Sequence, residues 1–317
     1  MHGNGSIGAG AAAPPSKYLV AFAGLALVML LWSGNSIVGR AVRDDIPPFL
    51  LALLRWTGAL CVVTPFALRH LIADREVLSR AWKPVLLLGL TGVASFNALL
   101  YAGLRHTTAT NALLLQAAIP ALVLVVDRVA FRLAPSLWQV AGVTVSTLGV
   151  LVVIARGQVS TILGLHFGTG DVMILAAVVG WALYTSLLKL RPACHPLSFL
   201  VVTFAIGALA MVPLAATEWR EIAAMRWTPQ VFGAWAYVAL LPSVVAYMLY
   251  NGAVATVGAG RAGQTIALMP IFGALLAAVL LDERLHGFHL AGMALILAGI
   301  VVSVTGAALI RRRRDAR

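Results

Sequence analysis

Long apolar runs, each about one bilayer deep, alternate along this chain with short polar connections. Ten of them predict helices over about 18–40, 49–69, 84–104, 108–127, 137–155, 171–190, 197–217, 230–254, 262–281 and 288–310. Roughly 20 apolar residues span a bilayer as an α-helix, and the runs are continuous rather than alternating, which favours helices over a barrel. The pattern also repeats. AGVTVSTLGVLVVI from Ala141 returns as AGMALILAGIVVSV from Ala291, 150 residues later, and Trp32/Trp181, Pro47/Pro196 and Tyr101/Tyr250 pair at an offset of 149. Each copy holds five runs, an odd number, so the second copy enters the membrane from the opposite side. The expectation is an all-α integral membrane protein of ten transmembrane helices in two inverted five-helix repeats, a plan that places a shared site near the midplane. Its divisions are a tail at 1–17, a first repeat at 18–156, a linker at 157–170, a second repeat at 171–310 and a basic tail at 311–317.

Composition agrees with that plan. The chain is 61% hydrophobic and 11% charged, with mean hydropathy +0.94, against about 25% charged residues in soluble domains. Its net charge of +12 invites a nucleic-acid reading, but topology accounts for it better. Sorting Lys and Arg onto alternate sides puts 15 with the termini and 7 opposite, with Arg55 inside a span. By the positive-inside rule both termini are cytoplasmic in a cytoplasmic membrane. Arg311 to Arg314 then form a topological anchor on anionic lipid, with no nucleic-acid partner. The first 17 residues lack the basic start and cleavage site of a secretory signal.

Several chemistries lack their residues. Cys61 and Cys194 have no zinc or CxxC spacing. His286 and His289 want a third ligand, and no phosphate-binding loop occurs. No metal, cofactor or catalytic set is therefore expected. The acidic residues lie in loops or near segment ends, which argues against an acidic proton relay.

The candidate site lies on helical stripes. Trp32, Asn35 and Ser36 share one face, and Trp181, Tyr184 and Thr185 form the equivalent face 149 residues later. Side chains at i, i+3 and i+4 lie together on a helix, and polar groups in lipid must face protein or water. A solvated cavity between the stripes is the functional reading, and interhelical hydrogen bonding is the structural one. Asn97 and Tyr101, and Tyr247, Tyr250 and Asn251, extend the same lining, with Asn111, Gln116 and Gln264 as weaker members. Arg55 either snorkels, pairs with a carbonyl or acid, or attracts an anionic group on a solute. Pro120 and Pro270, at matching positions within helices four and nine, read as a paired hinge or as static kinks. Gly142, Gly149, Gly292 and Gly299 predict a close seam, either between the repeats or between two copies in a homodimer.

These features resemble the drug/metabolite transporter superfamily, specifically its ten-helix EamA-domain branch. The resemblance is carried by Leu31-Trp32-Ser33-Gly34-Asn35, Pro47-Pro48-Phe49 through to Arg55, Trp181-Ala182-Leu183-Tyr184, Ala246-Tyr247-Met248-Leu249-Tyr250, and Leu268-Met269-Pro270 through to Asp282-Glu283-Arg284-Leu285. It covers about 18–310. It implies ten helices with cytoplasmic termini, a central cavity between the repeats, and transport, commonly export, of amino acids, related metabolites or toxic compounds. Two departures stand out. The acid ending a repeat's fourth helix is present as Glu283, but Ala130-Phe131-Arg132-Leu133 lacks it. The helix-one glutamate of the small four-helix multidrug members is also absent. The resulting expectation is a secondary transporter of small amphipathic metabolites working by alternating access. A passive channel or a non-transporting scaffold is the first alternative, and a lipid-modifying membrane enzyme the second.

Overall fold

The computed structural model describes residues 15–107, 118–155, 168–280 and 287–315, together with Ala112, Leu115 and Gln116. Asn111, Glu283 and His286 lie outside them. The described residues form helices and no strands. The first repeat contributes α1 (Pro15–Ala41), α2 (Pro48–Arg80), α3 (Trp82–His106), α4 (Ile119–Phe131) and α5 (Leu137–Ile154). The second contributes α6 (Thr169–Leu190), α7 (Pro196–Thr217) and α8 (Pro229–Val257). Next comes α9, assembled from Ala259–Gln264, a 3-10 turn Thr265–Leu268 and Met269–Leu280, and then α10 (Gly287–Asp315). Among the described residues six helices, α1 to α3 and α6 to α8, are long and apolar enough to cross a membrane. The sequence led us to expect ten. The fourth run lies partly outside the described residues, α9 is interrupted by the 3-10 turn Thr265–Leu268, and α5 and α10 have shorter apolar stretches.

Local sequence sets the helix boundaries. Proline starts α2 and α7, Pro48 and Pro196 each occupying the first helical turn, where a missing N–H costs nothing; the repeat-equivalent of Pro196, Pro47, precedes Pro48 at the α2 N-cap. The α7 start is capped by His195, whose Nδ1 accepts the Leu197 N–H, and the α8 start by Thr228, whose hydroxyl accepts from Val231. Gly258, with φ of 88°, makes the α8–α9 turn, a backbone region that disfavours other residues.

Contacts between the repeats reveal their relative direction. A Cβ placed on Gly142 would lie 2.5 Å from the Gly299 carbonyl oxygen, and one on Gly149 would lie 2.7 Å from that of Gly292. Rising numbers on α5 thus meet falling numbers on α10, so the two run antiparallel. The contact is also reciprocal, because Gly142 is equivalent to Gly292 and Gly149 to Gly299. Ser146 donates to the carbonyl of its own equivalent, Ile296, at 3.2 Å, so a pseudo-twofold axis passes there. In the same way α2 runs against α7, through Trp56 on Phe204 and His70 stacked on His195. The helix α1 runs against α8, through Gly24 at Leu249 and the Leu31 carbonyl on Tyr237. The glycine seam therefore lies within one chain. Gln264 belongs to it, donating to the Gly299 carbonyl at 3.0 Å, which corrects its assignment to the cavity lining.

One end of the bundle carries the start of α1 and the end of α10. Lys17 and Thr256 share a groove, Gly260 abuts Gln139, and Trp138 packs on Gly306. We call this the terminal end and its opposite the far end. Phe66 (70% exposed), Val129 (76%), Leu137 (86%) and Leu209 (71%) project outward, an apolar surface suited to lipid.

Replacing Gly149 with alanine should destabilise the protein by about 1–3 kcal/mol through overpacking, because the new Cβ also meets the Ile296 backbone nitrogen at 2.8 Å. Gly252→Ala, on α8 with nothing within 4 Å, should be neutral or stabilising by about 1 kcal/mol. Thermal unfolding of both variants in one detergent checks the seam, and an unchanged midpoint for Gly149→Ala would contradict it.

Candidate functional site

Two helical irregularities shape the middle of the bundle. Gly89–Ser95 in α3 and Leu240–Val245 in α8 are wound as π-helix. Subtracting 149 maps the second onto 91–96, so the irregularity sits at the same place in both repeats. In α8 its cause is Pro242, which has no N–H to reach the Val238 carbonyl. The Ser243 hydroxyl takes that acceptor instead, at 2.7 Å. Such segments recur at functional positions. Each leaves a carbonyl that the opposite repeat occupies. Pro242 accepts from Trp32 Nε1 at 3.0 Å and from Arg55 Nη2 at 3.1 Å, while Gly92 accepts from the Tyr247 hydroxyl at 2.5 Å.

The predicted stripes meet across the pseudo-twofold axis. Trp32 and Trp181 pack edge to face with ring centroids 4.8 Å apart. Tyr247 lies 6.1 Å from Trp32 and 5.7 Å from Trp181, and Tyr250 lies 5.0 Å and 5.5 Å from the same two rings. All four are buried. Aromatic pairs at these separations add roughly 0.5–1.5 kcal/mol each beyond area burial.

Arg55 stands beside this box, only 1% exposed. Its Nη1 donates to Asn35 Oδ1 at 2.8 Å and to the Tyr101 hydroxyl at 2.9 Å, and Tyr101 in turn donates to Asn35 Oδ1 at 2.7 Å. Of the alternatives raised by the sequence, Arg55 pairs with a carbonyl, that of Pro242, and with two neutral side chains. In the second repeat Tyr184 donates to Asn251 Oδ1 at 2.8 Å, and Thr185 bonds the Tyr250 hydroxyl at 2.9 Å.

Between these groups lies a narrow cavity of about 20 Å³ lined by Trp32, Asn35, Arg55, Asn97, Trp181 and Tyr247 from the predicted set. That is room for about one water. Gln116 and Ile119 line it from the first repeat, and their equivalents at an offset of 150, Ile266 and Met269, line it from the second. Tyr101, Tyr184, Tyr250 and Asn251 do not line it and form its partitions. The prolines sit beside it. Pro120 and Pro270 are in the first turn of segments that begin at Ile119 and Met269, and in α9 a 3-10 turn, Thr265–Leu268, runs directly into that segment. Ser33 donates to the Met269 carbonyl at 2.9 Å beside that turn.

Each partition faces a vestibule. At the terminal end a space of about 490 Å³ is lined by Leu188, Pro192, Asn251 and Val254, among others. Its repeat-equivalent at the far end, lined by Gly39, Arg43, Tyr101 and Arg105, holds about 10 Å³, and a separate space of about 240 Å³ lies at that end outside it, lined by Asp44, Pro47, Arg105 and Glu221 among others. The far end is sealed by polar contacts between the repeats. Glu218 accepts the Phe49 and Leu50 N–H groups at 3.2 and 3.0 Å, capping the α2 N-terminus with negative charge. Arg105 pairs with Glu221, and Thr107 bonds Asp171. Burial pushes the Glu218 carboxyl above its ordinary value, whereas the Arg105 hydrogen bond holds Glu221 below it. The Arg105–Glu221 contribution is thus present above the ordinary glutamate range and lost as pH falls through the lowered value. Nothing in the sequence singled out Glu218. Its signal, the free N–H groups after Pro47-Pro48, becomes legible only once the repeats are packed.

Comparison with known proteins places this geometry in context. The profile of the EamA-like transporter family matches residues 19–155 and 168–305. A Bacillus subtilis protein described as an uncharacterized transporter, YetK, is 29% identical over 91% of this chain and 88% of its own length. An Escherichia coli protein described as a probable amino-acid metabolite efflux pump is 27% identical over 88% of this chain and 93% of its own. A solved crystal structure shares the fold with a TM-score of 0.69 at 20% identity, covering 96% of this chain and 100% of that one.

Asn35→Ala deletes the acceptor shared by Arg55 and Tyr101, and hydrogen bonds to charged groups are worth about 1.5–3 kcal/mol. A loss of that size in thermal stability is expected, with a smaller loss for Tyr101→Phe. Equal effects would contradict a network centred on Asn35.

Proposed function

Because this multi-pass chain belongs to the EamA-like transporter family, we propose that it is a secondary transporter exporting small metabolites, amino acids or related amphipathic compounds by alternating access. The observation that carries this reading is the inequality of two repeat-equivalent vestibules, about 490 Å³ beside Asn251 at the terminal end and about 10 Å³ beside Tyr101 at the far end, where the larger space of about 240 Å³ lies outside, around the Arg105–Glu221 pair. Repeats that are equivalent in sequence can exchange conformations, and exchange opens the far end while closing the terminal one. With both termini cytoplasmic, as the Lys and Arg distribution favours, the conformation seen here faces inward.

The solute site is then the central cavity. Trp32, Asn35, Arg55, Asn97, Trp181 and Tyr247 touch the solute, and Tyr101, Tyr184, Tyr250 and Asn251 form the thin gates on either side. Pro120 and Pro270 act as hinges, since each removes a backbone N–H from its helix and lets the chain bend there at low cost. A passive channel requires an open path at some stage. The sealed far end and a cavity that fits one water favour a carrier.

Replacing Trp32 or Trp181 with alanine should lower solute counterflow in proteoliposomes about tenfold or more, with membrane insertion unchanged. Wild-type flux in both variants removes the cavity assignment. In a background lacking Cys61 and Cys194, a cysteine at Ala255, exposed in the terminal vestibule, should label readily in the resting protein and one at Leu51, buried in the far one, poorly. Equal labelling contradicts the inward-facing assignment.

A further inference from the structure

Arg55 is a buried cation with no buried anion to match it. Among the described residues the ion pairs are Arg43–Asp44, Arg80–Glu76, Arg105–Glu221 and Lys189–Asp127, and no acid lines the central cavity. The groups bonded to Arg55 are an amide oxygen, a hydroxyl and a backbone carbonyl. Such dipoles solvate a guanidinium but leave its charge uncompensated in a medium where charge is costly.

The neighbouring polar atoms have the same bias. Arg55 Nε, Asn97 Nδ2 and Trp181 Nε1 are buried donors with no partner in hydrogen-bond geometry, and all three residues line the cavity; the Tyr247 hydroxyl beside Asn97 and the Tyr250 hydroxyl beside Trp181 come near without meeting that geometry. The unpartnered acceptor in that lining is Asn97 Oδ1. A carboxylate offers two oxygens and about four lone pairs and donates nothing, so it matches three free donors around a fixed positive charge. An ammonium brings three donors to a place with one free acceptor and a like charge. Around the donors stand Trp32, Phe96, Trp181, Tyr247 and Met269, a wall for a compact apolar or aromatic body.

On the reading that the central cavity is the solute site, we propose that the transported species is a net anion, a monocarboxylate with an apolar body. Its carboxylate is held by Arg55 with Asn97 and Trp181, and its body enters among the tryptophans and Tyr247 as those rings, now packed on one another around about 20 Å³, part to admit it. Cations are excluded, and zwitterions bind less well because their ammonium group finds no acid.

Three probes sharing one phenyl body separate the cases: 3-phenylpropanoate (anion), phenylalanine (zwitterion) and 2-phenylethylamine (cation). With the purified full-length protein at neutral pH, thermal shift and equilibrium binding should rank them in that order, the cation giving no shift. Trp181→Phe keeps an aromatic ring and Asn97→Ala removes one amide. Each should raise the Kd of the anion about three- to tenfold, the size of one hydrogen bond. Arg55→Gln should raise it about tenfold or more. If Arg55→Gln does not fold, the other two variants carry the test. Stabilisation by the cation as strong as by the anion overturns the proposal, as does anion affinity unchanged in the variants, or no anion binding at millimolar concentration. Anion binding that depends on these donors but gives no counterflow upholds the site's charge selectivity while removing the carrier reading. Counterflow of the zwitterion or cation, insensitive to the same variants, does the reverse.

Discussion

Hydrocarbon cannot hydrogen-bond a loose backbone carbonyl, so every irregular turn within the membrane must be answered by another part of the protein. Here the answers cross between the repeats. The Pro242 carbonyl of the second repeat is met by Trp32 and Arg55 of the first, and the Gly92 carbonyl of the first by Tyr247 of the second. Ser33 meets Met269, Tyr237 meets Leu31, Trp235 meets Leu54 and Ser186 meets Val123 in the same fashion. Neither repeat is complete without the other, and the pairing of breaks with donors sets the register in which they pack.

That constraint also builds the site. The wound segments of α3 and α8 and the proline turns of α4 and α9 converge near the pseudo-twofold axis, bringing donors intended for backbone into one small space. Arg55 is the asymmetric element, since its repeat-equivalent is Phe204 at the 149-residue offset. A symmetric frame thus encloses a polar centre of one sign. The contacts of Glu218 and Glu221 join the repeats at the far end, where the vestibule beside Tyr101 is the narrow one.

Much of the architecture was legible because lipid imposes simple patterns. Apolar run lengths located the helices, and a Trp or Tyr at a fixed offset located the repeats. The stripe through Trp32 and Asn35 pointed to a protein interior, because polar atoms there have nowhere else to go. What could not be read depends on packing. Both copies carry the π-helical segment, so it left no change of offset to betray it. Pro270 marks a weak point in α9, but the 3-10 turn just ahead of it, Thr265–Leu268, carries no residue that announces it. Gln264 has the same composition signal as a cavity residue and faces the glycine seam instead. Tyr101, Tyr184, Tyr250 and Asn251 read as lining, and only the packed structure distinguishes a partition from a wall.

The central claim is that the two ends are coupled and move in opposite senses. The most direct measurement is a pair of spin-label distances by double electron–electron resonance, one across the far end between Asp44 and Ala224 and one across the terminal end between Ala193 and Ala255. Both would be recorded before and after Glu218→Gln and Glu221→Gln loosen the far-end seal. The account predicts that the far-end distance lengthens as the terminal-end distance shortens. Both lengthening together, or the far end moving alone, would contradict it.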